Sequence, residues 1–208
     1  MMRPLLCPVV RPTPGQDRSL PIKLRIENQR LAAREACLAS AKRLGLALAE
    51  LPQAKSGAPL PIDGWHWSIS HTTGFSCGVV YPGPVGIDVE PVKQRRQDTI
   101  QTACDRAEFD LVGGFSWSNF TRIWTAKEAV LKQAGCGLSE LSGCRIVAAP
   151  TQRAMIVHHR EAHLFVFQRY KFGHWASISA SSTGAAEVRW DWSEQEPSAE
   201  ARVGGFSL

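Results

Sequence analysis

The sequence has no long apolar run, and none of its hydrophobic stretches approaches the roughly 18 residues that a membrane-spanning helix needs. Its opening segment, MMRPLLCPVVRPTPG, holds a short apolar stretch that Pro8, Arg11 and Pro12 interrupt, with no small-residue cleavage motif. A secretory signal peptide needs both features. We therefore expect a cytoplasmic chain without a membrane segment.

Cysteine pairs with metal-binding spacing are also missing. The chain has six cysteines, and no two of them form a C-x-x-C motif. This spacing, together with the poor match to a signal peptide, predicts free thiols in a reducing compartment. The sequence also contains no P-loop and no G-x-G-x-x-G fingerprint, so the common nucleotide-binding loops are excluded.

Positive charge is only slightly in excess. The chain has 24 Lys and Arg against 19 Asp and Glu, which gives a net charge of +5. This balance favours an anionic partner. The basic residues are scattered, and Arg95-Arg96 is their densest pair. Nucleic-acid binding usually shows a more continuous basic stripe, so we expect none. The 44% hydrophobic and 21% charged composition is that of an ordinary folded chain.

Hydrophobic spacing and turn residues predict a mixture of helices and short strands. The predicted helices cover residues 27–51, 99–114 and 115–134, and Pro52 is expected to stop the first. The predicted strands cover residues 65–70, 75–81, 85–89, 145–149, 154–159, 164–170 and 174–180. We expect the first three strands to form an antiparallel meander behind the first helix.

One internal similarity links WSISHTTG at residues 67–74 with ASISASSTG at residues 176–184. Two explanations stay open. The segments are either copies within a duplicated α+β half or unrelated serine-rich strand ends. In a duplication, His71 corresponds to Ala180, so only one half keeps that imidazole.

Two carboxylates lie in the strand segment Gly86-Ile87-Asp88-Val89-Glu90. Side chains alternate along a strand, so Ile87 and Val89 should point into the core while Asp88 and Glu90 share the opposite face. Two ordinary surface acids on a solvated strand edge would give the same pattern.

A third carboxylate lies in Trp124-Thr125-Ala126-Lys127-Glu128-Ala129-Val130-Leu131-Lys132. Helical spacing puts Trp124, Glu128 and Lys132 on one face. An ordinary surface Glu–Lys pair is the simple alternative. However, a tryptophan on that face favours partial burial, which a fully solvated pair would not show.

Together, Asp88, Glu90 and Glu128 provide the hard oxygen ligands that Mg²⁺ prefers. Lys132 and Lys127 would supply positive charge for phosphate groups. His71, beside Ser70 at a strand end, could contact another phosphate or simply cap and pack. Acids for a metal, with cations for an anion, are typical of phosphoryl transfer from a polyphosphate.

The order of these motifs resembles the 4'-phosphopantetheinyl transferases, and among them the monomeric surfactin-synthetase-activating class. The resemblance is carried by Ser-Ile-Ser-His-x-x-Gly, Gly-Ile-Asp-Val-Glu, Trp-x-x-Lys-Glu-Ala-x-x-Lys and Gly-x-Gly-Leu, which lie in this order between residues 57 and 138. It implies Mg²⁺-dependent transfer of 4'-phosphopantetheine from coenzyme A to a serine of an acyl or peptidyl carrier protein. Adenosine 3',5'-bisphosphate would leave. Mn²⁺ is the alternative metal.

The resemblance also implies residue roles. Asp88, Glu90 and Glu128 would hold the metal, and Glu128, directly or through water, would accept the serine proton. Lys132, and less clearly Lys127, would face the pyrophosphate. The residues expected to bind coenzyme A are His71, with Arg34 as a second contact to the 3'-phosphate, and Ser70.

The implied fold is α+β, with two similar halves related by a pseudo-twofold. Each half is a long helix against a small, mostly antiparallel sheet, and the site lies in the cleft between them. We expect an N-terminal half at 1–98, a C-terminal half at 99–192 and a flexible tail at 193–208. The protein should be a monomer, and its acidic carrier partner would serve fatty-acid, polyketide or non-ribosomal peptide synthesis. Helix 99–114, with Phe109, Phe115 and Trp117 near it, is a candidate docking surface or ordinary core.

One departure concerns Gly57-Ala58-Pro59, where family members often carry Gly-Lys-Pro. One basic contact to coenzyme A is therefore missing, although the acids and Lys132 are intact. Two other functions remain as alternatives: another Mg²⁺-dependent phosphotransferase or pyrophosphatase, and a non-enzymatic anion-binding module.

Overall fold

A computed structural model describes residues 5–14, 19–181 and 187–195. The described residues form two compact units. One contains the described residues up to Gly83 together with 187–195, and the other contains 84–181. Both units combine a long helix with a mostly antiparallel sheet, which confirms the α+β class. The predicted pseudo-twofold stays a prediction.

The first unit is built on a four-stranded sheet. Strands β1 (Leu5–Leu6) and β2 (Val9–Pro12) precede helix α1 (Ile22–Arg43), and the hairpin β3 (His66–His71) and β4 (Phe75–Tyr81) follows. Near the other end of the chain, β10 (Glu187–Val188) pairs with β1 and β11 (Asp191–Trp192) pairs with β2. The sheet order is β11-β2-β4-β3. The sequence did not predict β1, β2, β10 and β11, because strands of two to four residues are too short for hydrophobic periodicity to detect.

Helix α1 ends at Arg43 rather than continuing to Pro52, so the predicted boundary was wrong. Gly45 adopts the left-handed conformation, with φ of 76°, and the amide of Leu46 donates back to the carbonyl of Ala41. This arrangement is a common way to end a helix, because glycine has no Cβ to oppose a positive φ. The earlier glycine therefore terminates the helix before the proline is reached.

The second unit is a five-stranded antiparallel sheet with helix α4 (Trp117–Ala134) against it. Its strands, in chain order, are β5 (Val85–Pro91), β6 (Arg145–Thr151), β7 (Ala154–His159), β8 (Ala162–Lys171) and β9 (His174–Ala180). They lie in the order β5-β9-β8-β7-β6. The seven predicted strands are confirmed, two of them as β3 and β4 of the first unit. Helix α4 ends at Ala134, as predicted, and Gly135 follows it in the left-handed conformation.

The strand with Asp88 and Glu90 lies in the second unit, although the predicted division at residue 98 put it in the first half. Strand β5 makes its ladder with β9, Asp88 opposite Ser177, and does not extend the β3–β4 hairpin. Pro82 and Pro84 flank the connection, and proline has no N–H to donate to a ladder with β4. The units therefore meet in sequence at Gly83, and the predicted three-strand meander was wrong.

The segment predicted as one helix over 99–114 forms two, α2 (Gln97–Ala103) and α3 (Arg106–Leu111). Asp105 caps α3: its side chain accepts from the amide of Glu108, whose carboxylate accepts from the amide of Asp105. Such a reciprocal capping box fixes a helix start. A short 3-10 helix, Leu138–Gly143, follows α4.

All six cysteines are free thiols, as predicted, and all but Cys136 are buried. The helices of the described residues include none that combines the length and the apolar character needed to span a bilayer. The tail predicted to be flexible, residues 193–208, lies outside the described residues from 196 onward, as do residues 182–184 of the internal similarity.

Candidate active site

The site is built where helix α4 lies close against strand β5. A Cβ on Gly86 would stand 1.9 Å from the carbonyl oxygen of Ala129 and 2.5 Å from the amide nitrogen of Gln133. Glycine is therefore required for this approach. Because side chains alternate along β5, Gly86, Asp88 and Glu90 share the face toward α4, while Ile87 and Val89 are fully buried.

Helix α4 is buried along most of its surface, and its half-buried positions include a stripe at Trp124, Glu128 and Lys132. These positions repeat every fourth residue and thus lie on one helix face, as the sequence predicted. Ser116 caps the start of α4 through the amide of Asn119, and Gly135 ends it in the left-handed conformation. The stripe is thus held on a rigid, well-capped helix.

Asp88 and Lys132 form the central ion pair. Asp88 is 4% exposed, and its Oδ1 accepts a hydrogen bond from Lys132 Nζ at 2.7 Å. Lys132 Nζ also donates to the carbonyl oxygen of Ile87 at 3.1 Å. The two bonds tie the helix stripe to the acid-bearing strand, so the predicted convergence of Lys132 with Asp88 is present in the structure.

Glu90 is held by a cation that the sequence reading did not assign to the site. Arg95 Nη2 donates to Glu90 Oε2 at 2.6 Å. Burial raises the pKa of Glu90, the nearby Asp88 carboxylate raises it further, and Arg95 opposes both effects. Arg95 was visible in the sequence only as part of the densest basic pair, and its position five residues beyond Glu90 gave no sign of this contact.

Glu128 is the most strongly perturbed acid of the group. Its pKa is raised to about 7, chiefly by burial, with the Asp88 and Glu90 carboxylates adding to the rise and Lys132 opposing it. Repulsion from both strand carboxylates means that the three acids occupy one electrostatic environment.

The three acids suit a hard divalent cation by their donor chemistry. All their ligand atoms are carboxylate oxygens, and a cation among them would relieve the repulsion that raises the pKa values of Glu90 and Glu128. Their oxygens nevertheless do not form a group within 4.8 Å of one another among the described residues. Two of the acids are paired with cations instead: Asp88 with Lys132, and Glu90 with Arg95.

Lys127 does not join this group, and its predicted contact with coenzyme A needs correction. The residue is 2% exposed, and its Nζ donates to the carbonyl oxygen of Ala103 at 2.6 Å and lies 2.7 Å from Glu108 Oε1. One residue before Glu128, it points about 100° away around the helix. Lys127 therefore anchors α3 to α4 inside the unit.

The other residues expected to bind coenzyme A lie in the first unit. His71 is half-buried at the end of β3, as predicted, and Ser70 beside it is buried. Arg34 donates to the carbonyl oxygen of Leu51 at 2.7 Å and to Gln53, and its guanidinium lies 5.8 Å from the Trp67 ring centroid. Arg34 thus holds the segment that follows α1.

The first unit also contains a segment that matches a catalytic motif by its spacing only. Gly74-Phe75-Ser76-Cys77-Gly78 has the spacing of a hydrolase nucleophile elbow, a sharp turn that exposes its serine. Here Ser76 is fully buried in the regular strand β4, and its hydroxyl bonds to Thr13 and to the carbonyl oxygen of Gln29. The serine is structural.

Comparison with known proteins agrees with the motif order. The family model for the 4'-phosphopantetheinyl transferase superfamily matches residues 84–189, just over half of the chain, which includes the acid site. The 4'-phosphopantetheinyl transferase psf-1 of Bacillus pumilus is 29% identical over 91 residues. That alignment covers 38% of this chain, and the chain spans about a third, 35%, of the length of this curated relative. The chain belongs to the 4'-phosphopantetheinyl transferase superfamily.

Proposed function

We propose that this protein transfers the 4'-phosphopantetheine group of coenzyme A to a serine of an acyl or peptidyl carrier protein. The observation that carries the proposal is the convergence of Asp88, Glu90, Glu128 and Lys132 within the unit that the family model matches. The serine oxygen bonds to the phosphorus that bears pantetheine, the pyrophosphate P–O bond breaks, and adenosine 3',5'-bisphosphate leaves.

Asp88, Glu90 and Glu128 are the residues that would hold Mg²⁺, or Mn²⁺ in its place. The metal, when bound, supplies charge stabilisation to the pyrophosphate oxygens. Lys132 holds Asp88 in place through its hydrogen bond to Oδ1. Its ammonium is the group that we assign to the pyrophosphate of the substrate. Removing a positioned charge of this kind typically lowers the rate by about 10²-fold or more.

Glu128 is the residue we assign to accept the serine proton. It is half-buried on the stripe of α4. As a metal ligand it would be ionised, so a carboxylate oxygen would be available to accept the proton directly or through a water. Lys127 takes no part, since it is enclosed with Glu108. His71 remains our proposed contact to the 3'-phosphate of coenzyme A, with Ser70 beside it and with Arg34 as the less direct candidate.

The carrier protein is proposed to dock on the surface formed by α2, α3 and the start of α4. Phe115 is 55% exposed there and packs edge-to-face on Phe109, 5.2 Å between ring centroids. Ile100, Phe109 and Phe115 line an open groove of about 460 Å³. Arg106 lines the same groove together with Asp105 and Asp110, so the docking proposal rests on the apolar residues of the groove and not on its charge. Trp117, in contrast, packs against the buried core.

The test is a mass-shift assay on several apo carrier proteins with coenzyme A and Mg²⁺, with and without chelator. The carrier should gain the phosphopantetheine mass only when metal is present. Glu128→Gln should lower the rate by at least about 10²-fold, whereas Glu161→Gln, an exposed glutamate of the same unit, should not change it.

Three results would contradict the proposal. No mass gain on any carrier would exclude the transferase. Release of inorganic phosphate or hydrolysis of coenzyme A without transfer would indicate the phosphotransferase or pyrophosphatase alternative. Binding of coenzyme A or another polyanion with no turnover would indicate an anion-binding module. Circular dichroism of Glu128→Gln shows whether a lost activity reflects lost folding.

A further inference from the structure

A second cluster of potential metal ligands lies at the C-terminal end of helix α4, outside the acid site. Cys136 follows the helix directly after Gly135, Glu140 is in the 3-10 helix, and His159 is the last residue of β7. The three residues come from three separate elements of one unit. Nothing in the proposed transfer reaction uses them.

The ligand atoms of this cluster are close together. One from each of Cys136, Glu140 and His159 all lie within 4.8 Å of one another. His159 Nε2 is 3.1 Å from Glu140 Oε2. His159 is 3% exposed, and the other two are half-buried, so the cluster is partly shielded from solvent.

Arg160 holds the glutamate from the solvent side. Its Nε donates to Glu140 Oε2 at 3.1 Å and its Nη2 donates to Oε1 at 2.8 Å. This fork fixes the carboxylate plane. The Oε2 atom also lies 3.1 Å from His159 Nε2, and the lone pair used in that contact would be released to a metal when Nε2 itself becomes a ligand. Outer hydrogen bonds of this kind orient ligands in known metal sites.

We propose that Cys136 Sγ, Glu140 and His159 Nε2 bind one zinc-type divalent transition-metal ion. Thiolate, imidazole and carboxylate are the ligand types that Zn²⁺ takes, and three protein ligands leave a fourth position for water. On binding, the thiol loses its proton to solvent, and His159 carries its own proton on Nδ1. The mixed sulfur and nitrogen ligands separate this site from the all-oxygen acid site, which suits Mg²⁺.

An ion at this position would join the C-terminal end of α4 to the end of β7. The ligand Cys136 is four residues beyond Lys132 on the same chain segment. A ligand that binds only the folded state stabilises it by mass action. The ion would therefore hold in place the helix that carries Glu128 and Lys132, whatever reaction those residues perform.

Cobalt(II) is the probe, because a thiolate bound to it gives a near-ultraviolet charge-transfer band that oxygen and nitrogen ligands do not give. Titration of the metal-free full chain in a non-thiol reductant should develop this band with one equivalent of metal, and Zn²⁺ should abolish it. Cys136→Ser and His159→Gln should weaken binding by at least about tenfold, with the band lost in Cys136→Ser.

Two variants serve as matched controls. His163→Gln alters the neighbouring His158–His163 ring pair, 5.1 Å between centroids, and should keep the band. Glu128→Gln changes the acid site and should keep it too, so this result is independent of whether the protein is a transferase. Circular dichroism in chelator checks that each variant is folded.

A second measurement uses the unaltered protein. Zn²⁺ should slow alkylation of Cys136, followed by peptide mass spectrometry, and raise the melting temperature, whereas Mg²⁺ should do neither. The proposal is overturned if cobalt gives no charge-transfer band, if the band persists in Cys136→Ser, or if Zn²⁺ leaves Cys136 unprotected. The cluster would then be a hydrogen-bonded network closed by Arg160.

Discussion

Replacement of Gly86 by alanine tests how the strand and the helix are brought together. The new Cβ would lie 1.9 Å from the carbonyl oxygen of Ala129, whereas Cβ atoms essentially never come within 3.0 Å of such an atom. Strand β5 and helix α4 must therefore separate by about 1.1 Å or more. The ion pair between Asp88 and Lys132, 2.7 Å long, spans this same contact and would be stretched or broken.

The consequences have two parts. Forced overpacking of this kind typically costs about 1–3 kcal/mol of folding free energy. In addition, a displacement of about 1 Å at a reacting centre can cost about 10²-fold in rate. We expect Gly86→Ala to lower the melting temperature and to reduce the transfer rate on an apo carrier beyond what the folded fraction explains.

The matched control is Gly143→Ala, in the same unit. There the new Cβ would meet only His159 Cδ2, at 4.0 Å, so stability and transfer should stay close to those of the unaltered protein. Chemical denaturation and the mass-shift assay measure the two quantities. If Gly86→Ala kept both its unfolding free energy and its transfer rate, the close helix approach would not be what positions the acids.

Three further predictions use other contacts. Lys127→Ala would leave the buried Glu108 carboxylate without its partner, so denaturation should show a loss of about 3–5 kcal/mol, and a loss below 1 kcal/mol would mean that the pair is not needed. Asp105→Ala removes the cap of α3, so unfolding at neutral pH should show a loss of about 1 kcal/mol. The Glu108 amide lowers the pKa of Asp105, so this difference should shrink as pH falls below the ordinary carboxyl range, and a difference that persists in acid would contradict the assignment. Phe115→Ala should raise KM for the carrier at least several-fold and leave KM for coenzyme A unchanged, whereas an unchanged carrier KM would place docking elsewhere.

Local patterns were sufficient to predict most elements of the second unit. Its strands alternate or cluster between turn residues, and Gly135 and the spacing of Trp124, Glu128 and Lys132 identify α4 and its half-buried face. These features depend on neighbours within a few residues along the chain, so periodicity detects them. The order of motifs that predicted the family spans residues 57–138, but it too is a property of the sequence alone.

Features that depend on contacts between residues distant in sequence were not predicted from these local patterns. The ladder between β5 and β9 joins residues about ninety positions apart, so the sequence near Asp88 does not show which unit the strand joins. Lys127 and Glu128 are adjacent in sequence, yet one is enclosed with Glu108 and the other faces Asp88 and Glu90.

The sequence by itself determined which chemical groups the protein has and their helical or strand spacing. Tertiary packing alone decided which lysine is buried, which arginine holds Glu90, and that Cys136 lies beside Glu140 and His159. The reason is that burial and charge pairing depend on elements that the chain brings together only when it folds.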